Sequence, residues 1–221
     1  MDNSFLIRAE KVKKRYGNLE VLKGIDLEIK PAEIVCITGE SGAGKSTLLH
    51  ILGTLDKPDE GEIYYKNIPV SGLNKQQLAA FRNQNLGFVF QFHQLLPEFT
   101  ALENACMPAW IAGLGKKEAE DRAMPLFAML GLEGRMQHKP SALSGGEQQR
   151  VSVVRALINN PGVVLADEPS GNLDSKNARS LHEYFLKLRD ELGQTFIIVT
   201  HNPELAELAD RNLHMVDGVF Q

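Results

Sequence analysis

The chain has 221 residues, 43% of them hydrophobic and 24% charged, with 19 glycines and 10 prolines, a composition that excludes collagen-like, low-complexity and disordered classes. Its 24 Lys and Arg against 28 Asp and Glu leave a net charge of −4, without the basic excess that favours a nucleic-acid partner. The two cysteines, Cys36 and Cys106, stand far apart in apolar stretches and give neither a disulfide framework nor a thiolate metal centre.

Residues 1–17 hold no apolar leader region or small-residue cleavage site, and no window reaches the ~18 apolar residues of a membrane span. The expectation is a chain that stays in the cytosol and meets a membrane only through a partner. Leu6 to Tyr16 and Val21 to Ile29 read as an antiparallel pair joined by a turn at Gly17-Asn18. Glu33 to Thr38 is a short apolar strand, followed by a glycine-rich turn and a helical pattern from Lys45 through Leu48, Leu49, Ile51 and Leu52. Glu62 to Tyr65 and Leu86 to Phe90 read as strands, and Ala101 to Ile111 and Lys116 to Leu130 as helices. Gly145 to Asn159 is a third such helix, Val163 to Ala166 a strand, Ser175 to Leu192 a long amphipathic helix capped by Ser175 or Asp174, and Thr195 to Val199 a buried strand. Strands alternating with helices predict a largely parallel sheet covered on both faces. The whole chain reads as one unit, with an α/β core at about 1–91 and 145–221 and a helical subdomain inserted at about 92–144.

Gly39 to Ser46, Gly-Glu-Ser-Gly-Ala-Gly-Lys-Ser, fits the phosphate-binding pattern G-x-x-x-x-G-K-[ST] and sits between a strand and a helix, as that loop requires. The glycines let successive backbone N–H groups turn inward around an anion, and the following helix adds its positive end. Lys45 then reaches the β- and γ-phosphates, and the Ser46 hydroxyl is placed for Mg²⁺. Val163-Val-Leu-Ala-Asp-Glu168 delivers two carboxylates at the C-terminal edge of a strand, where ligands bind in open α/β sheets. Strand alternation predicts that they face opposite sides, Asp167 ordering the metal shell and Glu168 polarising an attacking water. Leu143-Ser-Gly-Gly-Glu-Gln-Gln-Arg150 opens another helix, and Ser144, Gly145 and Gly146 give a second anion site at its N-terminus. Two such sites in one chain suggest that two chains share each nucleotide.

With these motifs in order, the chain resembles the nucleotide-binding subunits of ABC transporters over essentially its entire length. The resemblance implies a P-loop NTPase (RecA-like) core with an antiparallel β subdomain and the helical insert, and an ATPase that uses ATP and Mg²⁺. It assigns the adenine-stacking aromatic to Tyr16 and the phosphate loop to Gly39, Glu40, Ser41, Gly42, Ala43, Gly44, Lys45, Ser46 and Thr47. Gln91 follows its strand as the glutamine that meets Mg²⁺ or the water, Asp167 and Glu168 end the second nucleotide motif, and His201 matches the histidine that contacts the γ-phosphate. A head-to-tail homodimer is implied, with two ATP molecules held between Lys45 and its loop on one chain and Ser144, Gly145, Gly146 and Asp174 on the other.

Within the family, Phe92 to Asn104 and Pro169-Ser-Gly-Asn-Leu-Asp174 resemble the lipoprotein-releasing ATPases and their subfamily, which spans LolD, MacB and FtsE types. That implies separate integral membrane permease subunits, like LolC and LolE, docked near Gln91 and the helical insert, and a peripheral place on the cytoplasmic face of the inner membrane. The alternatives are a cell-division ATPase of FtsE type, an exporter ATPase of MacB type, and a soluble ABC ATPase acting as a clamp, which would need additions that 221 residues leave no space for.

Overall fold

A computed structural model describes residues 5–221; the opening four residues of the stretch in which no leader was expected lie outside the described residues. In chain order the elements are β1 (Ile7–Tyr16), β2 (Leu19–Ile29), β3 (Ile34–Thr38), α1 (Lys45–Leu52), β4 (Glu60–Tyr65), β5 (Ile68–Pro69), α2 (Lys75–Asn85) and β6 (Leu86–Phe90). Then follow α3 (Ala101–Ile111), α4 (Lys116–Met129), α5 (Gly145–Leu157), β7 (Val163–Asp167), α6 (Ser175–Leu192), β8 (Thr195–Val199), α7 (Pro203–Leu208), β9 (Arg211–Val216) and β10 (Val219–Phe220).

The strands form two sheets. One is antiparallel, ordered β2-β1-β4-β5; the other is ordered β10-β9-β3-β8-β7-β6, with every pair parallel except β10 against β9. Parallel strands buried on both faces read as unbroken apolar runs, and the side-chain alternation divides them cleanly. Val35 and Ile37 of β3, Val163 and Leu165 of β7, and Ile197 and Val199 of β8 join α1 and the antiparallel sheet in one apolar cluster. Ile34, Cys36, Val164, Ala166, Phe196 and Ile198 face the other way, into a cluster with α3, α4, α5 and α6. Phe127, Phe185 and Phe196 are fully buried there, each contributing roughly 1.5–3 kcal/mol relative to exposure. Segment 92–144 has no core of its own: Ala101, Ala105, Ala109, Ala119 and Ala123 belong to the cluster that covers the sheet.

The helix starts follow their caps. Thr100 and Glu103 form a reciprocal capping box at α3, as do Ser144 and Glu147 at α5 and Asn74 and Gln77 at α2. Asp174, rather than Ser175, caps α6, and Gly193 ends it in the left-handed region at φ +64°. Helix α5 stops at Leu157 and β7 runs one residue further than its apolar run, through Asp167.

Elements α2, β5, α7, β9 and β10 are absent from the sequence reading. Helix α2 buries none of its residues, so no apolar period marks it, and its capping box was the usable signal. In β9 only Met215 is buried, because the strand lies near the sheet edge with β10.

Candidate functional site

The C-terminal ends of β3, β7 and β8 meet the start of α1 around a cleft of about 630 Å³, lined among others by Tyr16, Ser41, Lys45, Thr47, Gln91, Glu168 and His201. The loop after β3 forms its floor. Gly39, Gly42 and Gly44 have φ of +141°, +84° and +104°, in the region where glycine alone is unstrained. At Gly44 a side chain would also meet Leu22 and the Val21 carbonyl at 3.0 Å. Gly44 is the N-cap of α1 and offers no side-chain cap, so the helix presents its first N–H groups toward the cleft, an arrangement suited to an anion. The Lys45 ammonium donates to the carbonyls of Gly39 and Glu40 at 2.8 Å each, which holds its charge over the loop.

Ser46 Oγ donates to Asp167 Oδ1 at 3.1 Å. Burial raises the Asp167 carboxyl above its usual range, opposed by the Ser46 hydroxyl and the nearby His50 and Lys45. One hydroxyl and one carboxylate, both hard oxygen donors, suit Mg²⁺, which takes water and phosphate oxygens as its further ligands.

Glu168 corrects one expectation. Strand β7 ends at Asp167, and Glu168 adopts φ +46°, a left-handed conformation that costs a non-glycine residue on the order of 1 kcal/mol. The two carboxylates diverge through this turn of the backbone, not through the pleat. The Glu168 N–H still donates to Val199 O at 2.9 Å. Its carboxylate faces the end of β8: Oε1 lies 2.8 Å from His201 Nδ1, and Oε2 accepts from the His201 N–H at 3.3 Å. Glu168 and His201 thus form a connected pair on the cleft wall.

Gln91 also lines the cleft, and its Nε2 donates to Asn172 Oδ1 at 3.1 Å while Asn172 Nδ2 returns a bond to Gln91 O at 3.2 Å. Tyr16 is half exposed at the rim, with its hydroxyl donating to Asp56 Oδ2 at 2.8 Å; that bond is the main reason its phenol titrates above the usual value. Ser144, Gly145, Gly146 and Asp174 do not line this cleft. They form a separate edge, where Gly145 approaches Leu173 and Gly146 lies against Asn177. Glu147 closes the Ser144 cap, accepting from Ser144 N at 2.7 Å and from Arg135 Nε at 2.6 Å, and its carboxyl is held down at about 2 by these partners.

Residues to which the sequence reading gave no role support the site. Asn172, Arg135 and Asp56 are named above. Gln149 and Arg155 of α5 hold the segment after β6: Gln149 Nε2 donates to Phe90 O at 3.2 Å, and Arg155 donates to Gln94 O and His93 O at 2.7 and 2.8 Å. Asn104 of α3 is buried and meets the backbone of Leu96, Phe99 and Thr100. The signal available for Gln149 and Asn104 was an amide on the apolar face of a helix. A second groove, about 420 Å³, opens beside this segment between Leu55, Arg82, Phe88, Phe90, Ile111 and Arg155.

Comparison with known proteins agrees with this geometry. Residues 22–171 match the ABC transporter family profile. The chain is 60% identical to the lipoprotein-releasing system ATP-binding protein LolD of Bacteroides thetaiotaomicron, over 98% of this chain and 99% of that protein. It is 56% identical to the LolD protein of Porphyromonas gingivalis, over 97% and 98%. Among solved structures, the dimeric bacterial ABC transporter cassette MJ0796 superposes with a TM-score of 0.88 at 42% identity, over 97% and 96% of the two chains. A post-hydrolysis dimer of that cassette, bound to ADP and Pi, gives 0.87 at 40% identity, with the same coverage. A glycine-lined anion loop, its lysine and serine, a paired glutamate and histidine, and this likeness over nearly the full length make the chain an ATPase of the ABC transporter family.

Proposed function

We propose that the chain is the ATP-hydrolysing subunit of a membrane complex that releases lipoproteins from the inner membrane. The observation that carries this reading is the 60% identity to a LolD protein over 98% of this chain and 99% of that one. Lys45 and the loop N–H groups bind the phosphates of ATP, Ser46 and Asp167, with Gln91 beside them, would hold Mg²⁺, which when bound offsets phosphate charge, and Tyr16 stacks on adenine. Glu168 accepts a proton from the attacking water, and His201, hydrogen-bonded to it, faces the γ-phosphate. Water attacks directly, since positioning and charge stabilisation suffice for this reaction.

Ser144, Gly145, Gly146 and Asp174 lie on an edge of their own, which supports a head-to-tail homodimer in which each chain completes the other's nucleotide site. The dimeric form of MJ0796 supports it further. Among the described residues no helix is long and apolar enough to cross a membrane. Permease subunits like LolC and LolE would dock on the groove between β6 and α3, where Ile111 is 78% exposed and Leu55 50%, placing the chain peripherally at the cytoplasmic face of the inner membrane. Segment 92–144 then acts as the helical subdomain that meets them.

Depletion of the protein in its native cell tests the reading. Lipoproteins should accumulate in the inner membrane. Normal sorting with blocked septation would replace this reading with a cell-division role.

A further inference from the structure

Gly146 stands in the first turn of α5, and its φ is outside the left-handed region that the loop glycines occupy. Alanine is the better helix former at such a position, so backbone freedom is not what the site requires. The space is taken by Asn177 of α6. A Cβ on Gly146 would lie 2.8 Å from Asn177 Cγ and 3.2 Å from its Cβ, and nearer still to Oδ1, well inside van der Waals contact. A Cβ on the preceding Gly145 would come no nearer to another segment than a Leu173 methyl at 3.9 Å, which makes the crowding specific to position 146.

Asn177 is tied where it stands. Its Nδ2 donates to Asp174 Oδ2 at 2.7 Å, and its backbone N–H donates to Asp174 Oδ1 at 2.9 Å. These bonds also hold the Asp174 carboxyl below its usual range. One side chain therefore touches both segments of the edge proposed to meet a second chain.

We propose that Asn177 is a positioning residue: it sets the spacing between the Ser144–Gly146 turn and the Asp174 carboxylate, and it is what makes glycine necessary at 146. This rests on the reading of those segments as the half-site presented to a partner's nucleotide. A methyl group at 146 must drive Asn177 off Asp174 or α5 away from α6, and either movement misplaces one segment relative to the other.

Steady-state ATP turnover of the full chain, with melting curves for each variant, tests it by suppression. Gly146→Ala should lower kcat by about a hundredfold, with KM for ATP changed less than about threefold, because the cleft around Lys45 is untouched. Asn177→Ala alone should cost about tenfold, and Gly146→Ala with Asn177→Ala should recover to the level of Asn177→Ala, a non-additive result. Asn177→Ser, which shortens the side chain but keeps a donor for Asp174, should relieve Gly146→Ala at least as well, and it carries the test if the alanine variant does not fold. Double variants that melt normally yet fall to the product of the single losses overturn the proposal. A wild-type chain without ATP turnover would instead overturn the reading on which it rests.

Discussion

The Ser46 hydroxyl donates to Oδ1 of Asp167 at 3.1 Å, joining the first turn of α1 to the last residue of β7. This contact brings a hydroxyl of the phosphate loop against a partly buried carboxylate, the pair proposed to hold Mg²⁺. Asp167→Asn keeps the size and removes the charge. ATP turnover should fall by about 10²- to 10³-fold, and a Mg²⁺ titration of phosphate release should show that added metal does not restore it. Restoration to the wild-type rate would remove Asp167 from the metal site.

The Lys45 ammonium donates to the Gly39 and Glu40 carbonyls, so its substitution leaves the loop glycines in place and removes the positive charge held over them. Lys45→Ala should weaken ATP binding by about 10- to 100-fold, the equivalent of one charged hydrogen bond, measured with a fluorescent ATP analogue. Unchanged affinity would contradict the assignment.

Glu168→Gln should retain ATP affinity and slow hydrolysis by about 10²- to 10⁴-fold. In the proposed homodimer unhydrolysed ATP would bridge the two chains, and light scattering should register a dimer with ATP and Mg²⁺. A monomer at saturating ATP would contradict the shared-nucleotide arrangement.

The site residues that sequence made legible are those whose chemistry needs a fixed residue type at a fixed spacing. The glycines at 39, 42 and 44, Lys45 and Ser46 are all of this kind, and the capping pair Ser144 and Glu147 marks its helix as well. Tertiary partners were not legible: Asn172 meets Gln91 and Arg135 meets Glu147 across breaks in sequence that no local pattern records. The divergence of Asp167 and Glu168 was expected from strand alternation, which does not apply to a residue at φ +46°. At the level of the fold, β9 escaped because this strand, next to the two-residue edge strand β10, has one buried residue where β3, β7 and β8 have four or five.

Glu147 supplies a pH signature. Its folded-state carboxyl sits at about 2, below the ~4.3 of an unfolded chain, so its contribution is present above the unfolded value and is lost as pH falls toward the folded one. The melting-temperature difference between wild type and Glu147→Gln should be constant near neutrality and shrink between about pH 4.5 and 2. Parallel profiles through that window would show that the Ser144 and Arg135 contacts do not stabilise the ionised form.

Ile111 ends α3 at the rim of the second groove, 78% exposed. A carboxylate there would have to be desolvated beneath any apolar partner surface. Ile111→Asp should fold normally by circular dichroism and lose co-purification with the membrane subunits after gentle detergent extraction. Retention of the partner at wild-type yield would place docking elsewhere.

Helices α3 and α4 meet the core beneath that groove with several small side chains. Ala101, Ala105 and Ala109 of α3 and Ala119 and Ala123 of α4 are all fully buried, in one cluster with α5 and the sheet. Low ridges interlock weakly, so neighbouring helices can slide past one another without forcing side chains off their rotamers. Movement of α3 and α4 against α5 across such a surface would be shear, a sliding of small increments spread over several helix contacts. Sliding of that kind would carry a push at Ile111 into α5, whose N-cap is Ser144.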